Sequence, residues 1–487
     1  MLRRIPHSDI VVVEMPDLRT RRDFVKLSTA ALVLADAVNV PAAETDVPAG
    51  EIEVHVTAGS KRYAREAPVN WRPVDGPTDD AIVLNPRETY QEVLGFGAAF
   101  TDAACYTFQR LDTGAREQLF HELFHPSEMG LNVCRTCIGS SDYSRNVYSF
   151  DEGDPDPELK RFSIDHDREY ILPMLLLARH VNRDLFLLSS PWSPPGWMKS
   201  TGSMLGGTLH KRYYAPYAAY FVKFLQAYAA EGVPVNAVSV QNEVDTDQDS
   251  RMSACMWGQE YEVEFVGRHL GPQLQKNGIP TKIWIIDHNY NLWGRAICEL
   301  DDADLNRYVD GVAWHGYLGT PDAMTRVHDA HPEKHAYWTE GGPDYTDPGY
   351  LTEWTKWAAA YAEILRNWAR SITGWNLALD ENGKPNIGPF TCGGMVSIHS
   401  QTKEITRSGQ YWGLAHYSRA IQRGARRFDS RGAFEDGTHV AFANPDGSKA
   451  VVLTNAGASE KKARLLLAGR IAEVSLPGDS VATLTWR

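Results

Sequence analysis

Cysteine is scarce in this chain, with six in 487 residues (Cys105, Cys134, Cys137, Cys255, Cys298 and Cys392). The close pair Cys134 and Cys137 has CxxC spacing, but no second CxxC or HxxxH cluster completes a zinc site. In a strand, two residues three apart also point to opposite faces. The cysteines therefore read as core residues or an incidental disulfide. Basic runs are missing beyond the N-terminal segment and the net charge is −13, which argues against nucleic acid and against anionic membrane surfaces as partners. Past the N-terminus nothing approaches the ~20 continuous apolar residues of a membrane span, so no stable membrane insertion is expected. Internal repeats and low-complexity linkers are also missing. No GxSxG elbow is present, which weighs against an α/β-hydrolase. Gly95-Phe96-Gly97 has Phe100 where a dinucleotide fingerprint needs its third glycine. Asp245, Asp247 and Asp249 open like a calcium loop, but Ser250 stands at the required Gly and Met256 at the bidentate Glu. The acidic run reads instead as the rim of a cleft whose negative charge keeps a neighbouring carboxyl protonated.

Aromatics are abundant: 14 Trp, 21 Tyr and 16 Phe. They serve a large core, and they also suit a cleft for sugars, because the apolar faces of pyranose rings stack on aromatic planes. At 54.4 kDa the chain fits a large barrel plus a smaller module. Residues 1–43 read as a twin-arginine signal peptide, with Arg21-Arg22 ahead of the short apolar run LSTAALVLA and small-residue cleavage sites at Ala35-Asp36-Ala37 and near Pro41-Ala42-Ala43. That implies a periplasmic or extracellular destination for an already folded protein. Residues 44–85 and 426–487 show short alternating runs broken by turns, which predicts N- and C-terminal strands of one β-sandwich. From 86 to 425 strand-like apolar runs alternate with helical stretches, the pattern of βα units around a parallel sheet. Eight such runs end in GFGAAFTDAA, LNVCRTCIGSSD, RDLFLLSSPWSPPGW, VNAVSVQNEVD, KIWIIDHN, VDGVAWHGY, HAYWTEGGP and SITGWNLALD. Eight is the strand number of a (β/α)8 TIM barrel. Between the third and fourth, apolar residues at Tyr217, Tyr220, Phe221, Phe224, Leu225 and Tyr228 predict an amphipathic helix stopped by Gly232 and Pro234.

Two of these strand ends carry a carboxylate each, Glu243 after Asn242 and Glu340 before Gly341-Gly342. The C-terminal ends of barrel strands build the active site, and two carboxylates in one cleft are the minimum equipment for cleaving a glycosidic bond. Glu243 is assigned the general acid/base role, which requires a pKa above the ordinary ~4.3. Asn242 is placed to hold the sugar 2-hydroxyl. Glu340 is assigned the nucleophile, ionised and helped by a nearby cation, for which Arg135 is the candidate. Asp102, Asp142, Trp192, His315, Tyr317 and Trp375 lie at the same end of other strands and supply hydrogen-bonding groups and stacking planes.

At these residues the chain resembles the glycoside hydrolase family that contains lysosomal glucosylceramidase and bacterial and fungal β-1,6-glucanases (family 30). The resemblance runs from about Tyr90 to the C-terminus and is carried by GFGAAFTDAA, SSPWSPPGWMKSTG, VQNEVD, AWHGY, WTEGGP and GWNLALD. It implies a (β/α)8 barrel with an attached β-sandwich, net retention and no cofactor. It also implies Glu243 as acid/base and Glu340 as nucleophile, with Arg135 supporting the nucleophile. Asp102, Asp142, Trp192, Asn242, His315, Tyr317 and Trp375 fall on positions that contact or frame the sugar in the −1 subsite. Two departures lie where the aglycone would bind. Val244 stands where many relatives have Pro and leads into the acidic DTDQD run, and the loop from Glu381 to Gly394 differs from that of lipid-processing members. The expected partner is a carbohydrate or glycolipid substrate with a β-glucosyl bond, in β-1,6-glucan, a glucosyl lipid or an oligosaccharide. A β-xyloside or β-fucoside, transglycosylation, and a silent carbohydrate-binding protein are the alternatives. Retention predicts carboxylates about 5–5.5 Å apart.

Overall fold

The computed structural model describes residues 50–487 except residue 433. The twin-arginine signal expected over 1–43 lies outside the described residues. Eight parallel strands close into a barrel: β1 (Gly95–Phe100), β2 (Val133–Cys137), β3 (Phe186–Ser190), β4 (Ala237–Ser239), β5 (Lys282–Asn289), β6 (Val309–His315), β7 (His335–Glu340) and β8 (Ala369–Gly374). Each falls in one of the eight apolar runs of the sequence. The barrel closes where β8 pairs with β1, Ser371 opposite Gly95 and Gly374 opposite Ala98. Burial on both faces is what allows near-continuous apolar strands, with helices coating the outside. Gly97 lets β1 approach β2, because a Cβ there would lie 2.0 Å from the Val133 carbonyl oxygen.

Helix Tyr214–Ala230 lies between β3 and β4, and Tyr217, Tyr220, Phe221, Phe224, Leu225 and Tyr228 are all buried. Fully burying such a side chain stabilises by roughly 1.5–3 kcal/mol. Gly232, at φ +80°, ends the segment in a conformation that side chains disfavour. Cys134 packs into this barrel–helix core, while Cys137 joins Trp192 and Trp375 at the strand ends. The two thus face opposite ways, as strand alternation requires, and all six cysteines are free.

The second layer system joins both ends of the described chain. Strand Glu51–Ala58 pairs antiparallel with Ser480–Trp486, Glu53 opposite Thr485, and the sheet continues through Lys449–Asn455, Gly437–Ala443, Arg426–Arg431 and Ile82–Glu92. Its core is Ile52, Val54, Leu84, Phe428, Leu453, Leu465 and Leu484. The strand Ile82–Glu92 runs across residue 85, so the chain passes from sandwich to barrel without a linker. His416, on helix Gly409–Ser418, is fully buried between Thr57 (2.9 Å) and Thr483 (2.8 Å) and ties the barrel to strands from both termini. Burial lowers its pKa to about 3, so it sits there neutral.

Candidate active site

One guanidinium organises the C-terminal end of the barrel. Arg135, from β2, is fully buried. Its Nε donates to Ser190 Oγ on β3 (3.1 Å), and its Nη2 to Asn242 Oδ1 after β4 (2.7 Å) and Asp287 Oδ2 on β5 (2.8 Å). Its Nη1 donates to Glu340 Oε2 on β7. Four strand ends are thus pinned to one cation. Asp287 is the counterweight. Besides Arg135 it accepts from Ser190 Oγ (2.8 Å), Ser239 Oγ (2.5 Å), Thr339 Oγ1 (2.7 Å) and His315 Nε2 (3.1 Å). A buried carboxylate needs donors on this scale to remain ionised. Burial pushes Asp287 up, but Arg135 and then the His315 contact outweigh it and hold the carboxyl far below its usual range.

A bulge brings two consecutive residues of β5 to the same cleft. The pairing of β5 with β6 slips between Ile286 and His288, and Ile286 and Asp287 both have positive φ (70° and 45°). The Ile286 N–H donates to Glu262 Oε1 (3.2 Å), a buried carboxylate paired with Arg295 (2.7 Å). Asp287 therefore reaches the barrel axis while His288, which alternation would turn away, faces Glu243.

Glu243 sits at φ +58°, its N–H on the Asp287 carbonyl (3.0 Å). Oε2 accepts from Gln248 Nε2 (2.7 Å), and Oε1 lies 3.2 Å from His288 Nε2 and 3.6 Å from His315 Nδ1. Burial raises its pKa, but the close imidazole of His288 and then that of His315 overcome burial and hold it below the usual carboxylate range. This corrects the sequence expectation of a raised Glu243. Asp245 does not act on Glu243 as a bare negative charge. It is hydrogen-bonded to His288 Nδ1 and thereby favours a proton on the imidazole that faces Glu243. Glu243, His288 and His315 bring one donor atom each within 4.8 Å of one another, a separation a metal could span. With Asp245 behind His288 and Asp287 behind His315, the grouping reads as a proton-sharing set.

Glu340 is 5% exposed. Arg135 holds Oε2, and Tyr317 Oη donates to Oε1 (3.1 Å). Gly341 is required here because a Cβ would lie 2.5 Å from the Trp338 ring. Trp192 and Trp375 stack with centroids 5.1 Å apart, and the Arg135 guanidinium lies 4.8 Å and 5.6 Å from their rings. Arg135 occupies the Asn242 amide oxygen, which leaves the Nδ2–H groups to donate towards a ligand. Asp142, buried beside this cluster, has its carboxyl pushed well above the usual range by burial and then by the charges of Glu340 and Glu243. Glu243, Glu340, Arg135, Asn242, His315, Tyr317, Trp192 and Trp375 therefore come together, with Asp142 at their edge. Asp102 does not join them. Its carboxylate is taken by the Arg145 N–H (2.8 Å), His166 Nε2 (2.7 Å) and Tyr170 Oη (2.7 Å), so it anchors the start of helix Asp102–Gln109 to the loop after β2. Asp287, His288 and Gln248 lie outside the sequence expectation; the DHN ending of KIWIIDHN is the available signal for the first two, and nothing in the sequence marks Gln248. Carboxylates outnumber cations in this cleft, which suits a transition state with positive charge on the sugar.

A family model described as the glycosyl hydrolase family 30 TIM-barrel domain matches residues 93–421, and one described as the family's beta sandwich domain matches 424–484. An endo-1,6-beta-D-glucanase of Neurospora crassa is 33% identical over 390 residues, 76% of this chain and 80% of that protein. The lysosomal acid glucosylceramidase of Mus musculus is 28% identical over 433 residues, 83% of each chain. The solved structure of an endo-beta1,6-glucanase superimposes with TM-score 0.82 at 32% identity, covering 90% of this chain and all of the other.

Proposed function

The chain belongs to glycosyl hydrolase family 30 and is an O-glycosyl hydrolase, and from that premise we propose that it cleaves β-glucosyl bonds with retention, acting on β-1,6-glucan outside the cytoplasm. The observation that carries the mechanism is the pair of carboxylates, one just after β4 and one at the end of β7, that share one imidazole: His315 lies 3.6 Å from Glu243 and 3.9 Å from Glu340. Glu340 attacks the anomeric carbon and forms a glycosyl ester. The glycosidic C–O bond breaks with its electron pair on oxygen, and that oxygen takes a proton from Glu243. Water then attacks the anomeric carbon, Glu243 accepts its proton, and the ester bond returns its electrons to Glu340. Arg135 and Tyr317 keep Glu340 anionic and aimed, and Asn242 donates to the 2-hydroxyl. The substrate assignment is supported by the two endo-1,6-glucanase relatives above 30% identity. Export is supported by Arg21-Arg22 and the apolar run after it; among the described residues no helix is long and apolar enough to cross a membrane.

Product analysis on soluble β-1,6-glucan, with Glu340→Gln as blank, tests this reading. Short oligosaccharides from wild type alone are expected. An intact polymer would remove this linkage and point to glucosyl lipids or small β-glycosides.

A further inference from the structure

The acid/base catalyst needs a proton, yet the resting site surrounds Glu243 with groups that favour its anion. We propose that the proton Glu243 donates is shared with His288, with Asp245 drawing it onto the imidazole and Asn289 pushing it back. The proposal rests on the acid/base reading of Glu243 given above.

Geometry carries it. His288 stands between two carboxylates: Asp245 is hydrogen-bonded to its Nδ1, and Glu243 Oε1 lies 3.2 Å from its Nε2. A carboxylate on one ring nitrogen fixes the ring's orientation and strengthens its basicity at the other. Asn289 opposes this. Its Oδ1 accepts the N–H groups of Tyr317 (3.0 Å) and Leu318 (3.1 Å), which turns Nδ2 onto His288 Nε2 at 3.0 Å. A proton on Nε2 meets that donor head-on, so Asn289 favours transfer to Glu243. The remaining charged or titratable groups around the pair are Asp287 from β5, His315 from β6 and Tyr317 just after it, Glu340 from β7, Arg135 and Asp142 from β2 and its loop, and Arg295 behind Asp245. With Glu243 and Asp245 counted, five carboxyl groups face Arg135, Arg295 and two imidazoles, an acidic excess that favours retention of a proton. Burial works against a charged His288, but Asp245 and Glu243 raise its pKa to about 10.

The step is balanced. When the glycosidic oxygen arrives at Glu243, the Nε2–H bond of His288 breaks and an O–H bond forms on Glu243, which passes its proton to the leaving oxygen. In the second half-reaction Glu243 takes a proton from water and returns it to Nε2. His288 is thus a positioning and proton-storing residue that acts through Glu243. The acidic run after Val244 acquires a purpose, since its first residue sets the basicity of the store.

The test compares wild type, His288→Gln and Asp245→Asn in two readouts. In the pH profile of kcat/KM on soluble β-1,6-glucan, the basic limb moves to lower pH by about one unit or more in His288→Gln, and by less in Asp245→Asn. A merely structural role lowers activity by the same factor at every pH, and that result overturns the proposal. Independently of turnover, ¹⁵N-histidine NMR of the full chain, assigned with His288→Gln, follows the ring itself. In wild type the His288 ring does not titrate between pH 5 and 8, and Asp245→Asn moves its titration into that range. A wild-type ring that titrates near the ordinary ~6.5 overturns the proposal. Wild type inactive on the glucan sinks the substrate assignment instead, and the ring titration still decides the proton store.

Discussion

Replacing Asp287 by Asn keeps the shape of the site's central carboxylate and removes its charge. Arg135 would then face an amide: turned one way its NH2 points at the guanidinium, which cannot accept, and turned the other way it points at Thr339 and His315, which would have to give up donating to accept from it. Breaking a buried ion pair by removing one partner costs about 3–5 kcal/mol. Unfolding entropy of about 2.1 cal/mol/K per residue gives about 1 kcal/mol per kelvin for 487 residues. The melting temperature at pH 7 should therefore fall by about 3–5 K. The pH dependence follows from the sign of the shift. Asp287 in the folded chain is held far below the unfolded ~3.9, so its contribution is fully present above that value and is lost as pH falls. The gap between wild type and Asp287→Asn should narrow by about 1.4 kcal/mol for each unit below ~3.9. Scanning calorimetry at pH 7 and pH 3 measures it, with Glu53→Gln as control. That substitution breaks an exposed pair with Arg65 (3.0 Å), and its shift should be too small to resolve. A drop below about 1 K at pH 7, or an equal drop at both pH values, refutes the argument.

Glu243→Gln should lower kcat on the glucan by about 10²–10⁴-fold and spare the glycosylation step of an aryl β-glucoside whose phenol leaves without protonation; equal losses on both would contradict the acid role. Asn242→Ala removes the donor to the 2-hydroxyl, a contact that strengthens in the transition state, so steady-state kinetics should show kcat falling by a larger factor than KM rises. His416, neutral in the fold with a pKa near 3, destabilises the molecule as pH falls from about 6.5 towards 3, because the unfolded chain binds its proton first. Denaturation at pH 7 and pH 4 should differ by about 3 kcal/mol from this residue, and His416→Gln should flatten that slope.

Much of this site is legible as strand ends. The eight apolar runs, Glu243 after VSVQN and Glu340 after HAYWT place both carboxylates at one end of a barrel before any coordinates exist, and Arg135 follows as the nearest strand-end cation. What lies beyond the sequence is local. Strand alternation turns only one of Asp287 and His288 inward, and the bulge that brings in both rests on Glu262, 24 residues upstream. Asp102 looks like another strand-end carboxylate, yet it starts a helix, and its donors Arg145, His166 and Tyr170 come from segments that pattern alone does not bring to it. The protonation of Glu243 is hidden from the sequence pattern for a related reason. Counting nearby negative charges omits an imidazole placed between two of them.

The most direct test of the two-carboxylate account is to trap the ester. Incubation with a 2-deoxy-2-fluoro β-glucosyl fluoride slows both steps and lets the intermediate accumulate. Peptide mass mapping should then find one label, on Glu340, absent from Glu340→Gln and released when an acceptor is added. A label on another carboxylate, or turnover with no covalent species and inversion at the anomeric carbon, would contradict it.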